Sequence, residues 1–416
     1  MKRFLVLWAA ALAAGAAGCG TLPPVEHVKA VGSLDQVGLQ VYWETTGQDM
    51  DLAGGEGLQK LWRVQDGVYC LTNLNRLISL DPLTGVAQWT VQVAPYGMTV
   101  FRPTVVTNVS LTEKLPGAAE MVNSKLSPMP PIEAVVINSS SQVLVIDRKK
   151  GRVVRRIDLE YGAGCGGASD GAIFVVGASG GRYYSTSLQQ GVLHWPSWAG
   201  ADIQAPIESF GGSMYIATVS SKTDAVVKGN LLCARASRTA PDPRKRTLGG
   251  PVTAALYVDA RGCFVPSTDH FLYAFTPDLS AKLWDHPFGC GGPLRTPVQV
   301  GENTVFQRAA GDKFYAINLS SGQERWTLPD AEQVLAIIGT AAGSKVYLRD
   351  SRNRILQVDE IMGTVEASAP LGLLNLFAGN TTEPAVYAAW TGGRVVCLKP
   401  LTAGRRTMDA LGGGRP

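Results

Sequence analysis

Histidine is scarce in this sequence, and the histidines that occur are not spaced as metal ligands. The chain contains four: His27, His194, His270 and His286. None of them forms a pair at the short spacings that zinc sites use. A dominant charge is also lacking, because the formal net charge is only +4, from 38 basic and 34 acidic residues. The sequence therefore predicts no metal site, and it offers no overall electrostatic argument for binding nucleic acid.

The first twenty residues have the features of a secretory signal. Met1–Arg3 is basic, the apolar run Phe4–Ala14 is too short for a stop-transfer helix, and small residues lead to Cys19. The end of this segment resembles the lipobox of bacterial lipoproteins, in which the cysteine becomes the first residue and carries the lipid. Ala16 departs from the leucine that is commonest there, so an ordinary signal peptide followed by an incidental cysteine is the alternative.

This resemblance divides the start of the chain into a signal peptide, residues 1–18, and a lipidated linker, residues 19–37. Cleavage removes Lys2 and Arg3 and no acid, so the mature balance is 36 basic against 34 acidic residues, or +2. Gly20 follows the cysteine where aspartate would favour retention in the inner membrane. We therefore expect a protein held at the periplasmic face of the outer membrane, although the inner membrane stays open.

A repeat covers most of the rest of the chain. Four segments that end in a turn and a tryptophan are similar: RLISLDPLTGVAQW from Arg76, RYYSTSLQQGVLHW from Arg182, FLYAFTPDLSAKLW from Phe271 and KFYAINLSSGQERW from Lys313. The turn glycines Gly322, Gly363 and Gly404 are 41 residues apart, which is about the length of a four-stranded antiparallel unit. Alternating rather than helical apolar spacing makes the unit a β-propeller blade. Counting third strands predicts eight blades.

The eighth blade lacks a fourth strand at its C-terminal end. The segment after Gly404 has no strand pattern, whereas Gly38–Thr46 alternates and contains Trp43. Because an open propeller would leave an unpaired edge, we expect this N-terminal strand to complete the last blade. The propeller then spans residues 38–405, and residues 406–416 form a disordered tail.

The periodic tryptophans invite a ligand-stacking interpretation, but their regular position at blade ends favours wedges between neighbouring blades. The residues in question are Trp43, Trp89, Trp195, Trp284 and Trp326. Within the repeat, Ser79, Asp81, Gly85 and Trp89 match the docking motif of PQQ-type propellers, with serine in place of alanine. Ala316, Asn318, Gly322 and Trp326 match it with asparagine in place of aspartate. The units therefore resemble the PQQ-like repeat family. A lipid-anchored eight-bladed chain of this length is similar to the BamB-type lipoproteins of outer-membrane protein assembly.

This resemblance implies a monomeric, non-catalytic scaffold that docks on a periplasmic or outer-membrane protein, with no cofactor. The same repeat occurs in quinone-dependent dehydrogenases, which bind their cofactor over a pair of adjacent cysteines. Here the cysteines that follow Cys19 are far apart: Cys70, Cys165, Cys233, Cys263, Cys290 and Cys397. Two G-x-S-x-G matches, at Gly167 and Gly177, lack the strand-then-helix context of a hydrolase nucleophile. We predict no enzyme. A binder of a small ligand or envelope polymer in the central funnel and a dehydrogenase relative are the alternatives.

Two departures from the repeat length locate a candidate partner surface. One insertion falls around Asn108–Pro131 in blade two, and the other is Ala236–Arg246 in blade four. Both should lie at the same end of the ring, where recognition insertions are usually carried. The basic residues near them are Lys114, Lys125, Lys149, Lys150, Arg244, Lys245 and Arg246. We predict a partner-binding patch for an acidic protein centred on the last five, with a solvated loop of scattered charge as the alternative.

The lipid anchor is tested by replacing Cys19 with serine. Because the acyl chains would hold the protein on the membrane, Cys19→Ser should move it from the membrane to the soluble periplasmic fraction. Fractionation and gel mobility of the variant beside the parent measure this. A variant that stays in the membrane with unchanged mobility would rule the anchor out.

Overall fold

The alternation of apolar residues produces eight antiparallel sheets in a computed structural model, which describes residues 34–110, 112–113, 127–128, 130–193, 197–219, 228–235, 244–340 and 343–401. Each sheet is one propeller blade, with its strands A to D in order from the centre outward. The expected all-β, eight-bladed propeller is confirmed. Cys19, Trp195, Lys114, Lys125, the signal segment and the tail from residue 406 lie outside the described residues.

The first four blades occupy the N-terminal half of the ring. Their strands are Leu58–Val64, Gly67–Thr72, Arg76–Leu80 and Ala87–Gln92 in blade one, and Thr104–Val109, Ile132–Asn138, Gln142–Asp147 and Val153–Asp158 in blade two. Blade three has Ala168–Ser169, Ile173–Gly177, Arg182–Ser187 and Val192–Leu193, with Ser197–Trp198 also paired to its third strand. Blade four has Glu208–Phe210, Ser213–Val219, Gly229–Arg235 and Arg244–Leu248.

The other four blades complete the circle. Blade five has Tyr257–Asp259, Gly262–Pro266, Phe271–Phe275 and Phe288–Gly289, and blade six has Gln299–Val300, Thr304–Ala309, Lys313–Asn318 and Glu324–Pro329. Blade seven has Ala331–Thr340, Gly343–Asp350, Arg354–Asp359 and Val365–Pro370, and blade eight has Leu376–Ala378, Val386–Trp390, Arg394–Pro400 and Leu39–Thr45. The remaining elements are the 3-10 turns Leu34–Val37 and Ser179–Gly181 and the small hairpin Thr112–Glu113 with Ser127–Pro128.

Burial follows from the stacking of blades around the ring. The second strand of blade one, Gly67–Thr72, and the third strand of blade two, Gln142–Asp147, are buried at every position. Middle strands have a neighbouring blade against both of their faces, so they read as continuous apolar runs rather than as half-polar strands. Within the described part of the chain, no helix is long and apolar enough to cross a bilayer.

The N-terminal strand closes the ring, as the missing strand of blade eight predicted. Leu39–Thr45 pairs antiparallel with Arg394–Pro400, from Leu39 opposite Pro400 to Thr45 opposite Val395. The amide of Leu401 donates to the carbonyl of Gly38 at 3.0 Å. The turn between the third and fourth strands of blade eight is therefore split, and the two ends of the ring meet there.

Tryptophans in or just before the fourth strand connect four of the blades to the next one. The side chains of Trp43, Trp89, Trp284 and Trp326 are buried. Each indole N–H donates to a backbone carbonyl in the C–D turn of the following blade, at 2.7 to 2.9 Å. The accepting residues are Pro82, Arg148, Leu319 and Glu360. A buried indole N–H needs such a partner, because leaving it unpaired is costly.

The turn that receives each indole has a constant construction. In blade six, the Asn318 side chain accepts the amides of Ser320 and Ser321 at 3.0 Å, and Gly322 takes a φ of 70°. This is an Asx turn that ends in a left-handed glycine. A methyl group on Gly322 would lie 2.6 Å from the Trp284 ring. Glycine is therefore needed twice, for its backbone conformation and for the close approach of the indole.

Blade four corrects the sequence interpretation of its outer edge. The sequence predicts a loop over Ala236–Arg246, but the fourth strand already begins at Arg244 and runs to Leu248. Its register places Arg244 opposite Cys233 and Arg246 opposite Leu231. A run of three basic residues is compatible with this strand because the outermost strand has one edge and much of its surface in solvent.

The two demands on the turn glycine can be separated by a pair of variants in blade six. Gly311 has a φ of 89°, and a methyl group added to it would meet nothing within 4 Å, whereas Gly322 has both a positive φ and the indole contact. Gly311→Ala should cost about 1 kcal/mol of unfolding free energy from backbone strain. Gly322→Ala should cost about 1–3 kcal/mol more through overpacking. Denaturant unfolding measures both, and equal losses would contradict the indole contact.

Candidate docking surfaces

The antiparallel blades give the ring two chemically distinct ends. The A–B and C–D turns leave from one end, which we call the turn end. The B–C hairpins and the D-to-A connections leave from the other, which we call the connector end. The split turn of blade eight, where Gly38 meets Leu401, lies at the turn end. Each surface residue can be assigned to one of these ends from its place in the blade.

The basic residues proposed from the sequence lie toward the turn end on two blades. Lys149 and Lys150 occupy the C–D turn of blade two, where the Asp147 side chain accepts both of their amides. Arg244, Lys245 and Arg246 follow one another on the fourth strand of blade four. Blade three stands between the two groups. The structure therefore places three of the five side by side and the other two on a separate turn.

Two of the three basic residues on blade four bind the neighbouring blade. Arg244 forms an ion pair with Asp278 in the C–D turn of blade five. Arg246 donates to the carbonyl of Leu279 at 2.8 Å, and its guanidinium stands over the ring of Phe275. Hydrogen bonds from Ser280 and Thr276, together with Arg244, hold the pKa of the Asp278 carboxyl well below its usual range. Lys245, between the two arginines, is exposed.

A groove of about 300 Å³ lies beside this strand, between blades four and five. The fourth strand of blade five is interrupted, because Leu283 bonds to Ala274 and the next pairing is Phe288 with Leu272. The intervening residues bulge away and leave a concave surface. Its lining combines cationic and aromatic side chains: Lys245, Arg246, Tyr273, Phe275, Lys282 and His286. This chemistry suits a carboxylate-bearing segment of another molecule.

An aromatic and apolar strip crosses the connector end from blade one to blade three. It begins at Tyr96 and Met98, in the connection from blade one to blade two, where Tyr96 is 78% exposed. This connection is rigidly held, because Asn75 donates to the carbonyls of Pro95 and Met98 at 2.7 and 2.9 Å. Ser140 of blade two contacts the Met98 sulfur, and its carbonyl accepts the amide of Ala163 in the next connection.

The strip continues through Tyr161, Arg182 and Trp198. The guanidinium of Arg182 lies 4.8 Å from the centroid of the Tyr161 ring, and Arg182 is paired with Trp198 across the outer strands of blade three. Trp198 is 72% exposed. Large aromatic side chains with this exposure on ordered backbone are unusual on a monomer surface, and Tyr, Trp, Met and Arg are the residues enriched in protein interfaces. We refer to Tyr96, Met98, Tyr161, Arg182 and Trp198 as the aromatic strip.

The centre of the ring offers one titratable group of note. Glu208 lies on the innermost strand of blade four and is partly exposed. Burial raises its pKa to about 7, against the opposing charge of Arg102. The Arg102 guanidinium also donates to the carbonyl of Arg63 on blade one.

The cysteines contribute packing in the described part of the chain. All six are free thiols, and all but Cys233 are buried. Burial raises the pKa of Cys70, Cys165, Cys290 and Cys397 to about 12. A thiol with so high a pKa is a poor nucleophile and metal ligand at neutral pH. Among the described residues, no three His, Cys, Asp or Glu side chains come together in a group that could hold a metal ion.

Comparisons with known proteins agree with this architecture. Residues 245–415 match a family model described as outer membrane protein assembly factor BamB. The crystal structure of BamB from Moraxella catarrhalis is similar over 88% of this chain and 99% of its own, with a TM-score of 0.59 and 12% identity. The chain is a β-propeller that resembles BamB, in sequence over residues 245–415 and otherwise in its fold. The sequence match covers 171 of the 416 residues, and the structural likeness at that identity concerns the fold alone.

A designed protein shares the same fold. The crystal structure of the computationally designed Ika8 protein is similar over 86% of this chain and 99% of its own, with a TM-score of 0.55 and 14% identity. No curated protein sequence matches this BamB-like propeller. Because unrelated functions occur on one fold, functional arguments must rest on the surface.

The aromatic strip is not among the residues that the sequence alone singles out. Tyr96, Tyr161 and Trp198 stand in or beside D-to-A connections, where the repeat gives no reason for exposed aromatic residues. Aromatic residues at these unexpected positions are the sequence signal that could have identified the strip. The sequence pattern favours the inserted loops and the basic residues instead, and of these Arg244 and Arg246 bind blade five.

The basic groove can be tested by separating its structural arginines from its exposed lysines. A double variant Lys245→Glu with Lys282→Glu should bind a polyglutamate peptide more weakly, with the difference shrinking at high salt. Its melting temperature should stay unchanged. The control Arg244→Glu with Arg246→Glu should instead unfold about 1–2 kcal/mol more easily, because it loses the contacts to blade five. Fluorescence polarisation and thermal melts measure these effects, and unaltered peptide binding would exclude the lysines.

Proposed function

We propose that the mature chain is a lipid-anchored periplasmic scaffold that docks a protein partner through the aromatic strip, in the assembly of outer-membrane proteins. The observation that carries this proposal is the strip itself, with Tyr96 and Trp198 each more than 70% exposed on a rigid ring. The match to the BamB family model supports the assembly role, and the signal-like segment that ends at Cys19 supports the anchor and the periplasmic location.

The physical case for docking rests on pre-organisation. The backbone that carries Tyr96 and Met98 is tied to blades one and two by hydrogen bonds from Asn75 and Ser140. Arg182 already stands over Tyr161. A partner would therefore bury large aromatic side chains without first ordering a loop, which lowers the entropic cost of association. Truncating such anchors usually removes about 2 kcal/mol or more of binding free energy each.

The basic groove on blades four and five is proposed as a second contact, for an acidic segment of the partner. The interrupted outer strand of blade five favours it, since the bulge leaves Lys282 and His286 beside Lys245. It lies on a different part of the ring from the aromatic strip. Charge there would act mainly on the rate of encounter, whereas the strip would supply the affinity.

The proposal predicts where the partner is crosslinked. A photoreactive phenylalanine at Tyr96 or Trp198, on the connector end, should capture a protein in intact cells. The same group at Phe210, exposed on the innermost strand of blade four and so away from Lys245 on the outermost strand, should not. Mass spectrometry of the crosslinked band identifies the partner. Capture from Phe210 alone would move the docking surface to the other end of the ring.

A functional experiment compares the double variant Tyr96→Ser with Trp198→Ser against the control variant Phe210→Ser. The double variant should lose the crosslinked partner's co-purification and lower the amount of outer-membrane β-barrel protein in the envelope, with an unchanged melting temperature. If co-purification is lost while the barrel proteins stay at parental levels, the strip docks a partner but the assembly role is wrong.

A further inference from the structure

The tips of the C–D turns differ in polarity around the ring. The two residues that follow the Asx position by two and three are Lys149–Lys150 in blade two, Gln189–Gln190 in blade three and Ser320–Ser321 in blade six. In blade seven the same positions hold Ile361 and Met362, which are 52% and 71% exposed. In blade one the first of them is Leu83, 56% exposed. The apolar tips thus belong to two blades that flank blade eight.

Blade eight, between them, is where the described chain begins and ends. Its C–D turn is split, so that Leu401, 48% exposed, stands where a turn tip would be. The Leu34–Val37 turn packs beside it, and the Tyr347 hydroxyl of blade seven donates to the carbonyl of Val37 at 3.0 Å. Three consecutive blades therefore present exposed apolar side chains at the turn end, and the N-terminal strand begins among them at Leu39.

Packing within the ring does not explain why these turn tips are apolar. The backbone of the blade-seven turn is held by the Asp359 side chain, which accepts the amides of Ile361 and Met362 at 3.0 and 2.9 Å. In blade one, the Asp81 side chain accepts the amide of Leu83 at 2.8 Å. Blade six makes the same turn with two serines. The turn thus works equally well with polar tips, and apolar ones expose surface to water at a cost.

We propose that the turn tips of blades seven, eight and one, carrying Ile361, Met362, Leu401 and Leu83, contact the lipid bilayer. This inference rests on the proposed anchor, because a lipid on Cys19 would hold this part of the ring near a membrane. The stretch from Cys19 to Leu34 spans at most about 50 Å when fully extended. Apolar side chains on rigid turns partition into the interface between headgroups and acyl chains. The connector end, with the aromatic strip, then faces away from the membrane.

The contact is tested with a tether that does not depend on acylation. The mature chain, with a hexahistidine in place of Cys19, is bound to vesicles of phosphatidylethanolamine, phosphatidylglycerol and a nickel-chelating lipid. An environment-sensitive fluorophore is attached at Met362→Cys, and as a control at Leu373→Cys. Leu373 is exposed at the connector end, in the connection from blade seven to blade eight. The unsubstituted chain, labelled in parallel, corrects for the partly exposed Cys233.

The probe at position 362 should shift to the blue on the vesicles and be quenched by lipids that carry a quencher in their acyl chains. The probe at position 373 should do neither. Equal behaviour of the two probes, or quenching at 373 alone, would overturn the proposed orientation. Crosslinking of position 362 to a protein rather than quenching by lipid would identify the tips as a protein contact, which also overturns it.

A second variant measures the strength of the contact. Ile361→Ser with Met362→Ser copies the blade-six tip and keeps the turn, so the fold should be unchanged. Without the nickel lipid, its retention on vesicles should fall at least about tenfold relative to the parent. Leu74→Ser with Leu373→Ser, at the connector end, should have no effect. If the anchor itself is wrong, the parent protein and the Cys19→Ser variant will fractionate alike in cells. The vesicle experiment does not use acylation, so its result can still be interpreted in that case.

Discussion

The ring depends on one repeated contact, in which an indole from the outer strand of one blade is seated on the glycine turn of the next. The indole N–H reaches the carbonyl that follows the Asx residue, and the glycine provides the space for the ring. Removing such a buried tryptophan costs about 3–5 kcal/mol. Because the contact crosses from blade to blade, it sets their spacing and also makes the C–D turns rigid.

Closure of the ring by the N-terminal strand uses the same contact. Trp43 belongs to the N-terminal strand, yet its indole donates to Pro82 of blade one at 2.9 Å, and a methyl on Gly85 would lie 2.5 Å from its ring. The strand that completes blade eight therefore also docks blade one. The start of this strand, at Gly38 and Leu39, is therefore held by the same interactions that close the ring.

Blades that lack the tryptophan contact use other means. In blade two, Arg155 takes the place of the indole, and its side chain lies against Gly191 of blade three. Blade four relies on Arg244 and Arg246, which bind the turn of blade five from the outer strand. In this part of the ring, polar contacts replace tryptophan packing between blades, and the outer strands are irregular. The groove beside Lys282 lies where the outer strand of blade five departs from the regular pattern.

The two ends of the ring then have separate chemistry. The connector end carries the aromatic strip, and the turn end carries basic residues on blades two and four and apolar tips on blades seven and one. A rigid ring keeps these surfaces at fixed positions relative to one another. A scaffold that is held on one side and docks a partner on the other needs this arrangement, which a flexible chain of the same composition would not provide.

The sequence by itself determined the features that repeat locally or follow from counting. The alternation, the 41-residue spacing of Gly322 and Gly363, and the surplus strand at Gly38–Thr46 predict the eight blades and the closure, because each is a property of one blade or of the strand count. Only the tertiary structure decided that Arg244 and Arg246 bind blade five, that Tyr96 and Trp198 share an end of the ring, and that Leu83 and Met362 lie on the two blades that flank the ring closure. Those residues are far apart in the chain, and ring closure, which no local pattern encodes, brings them onto common surfaces.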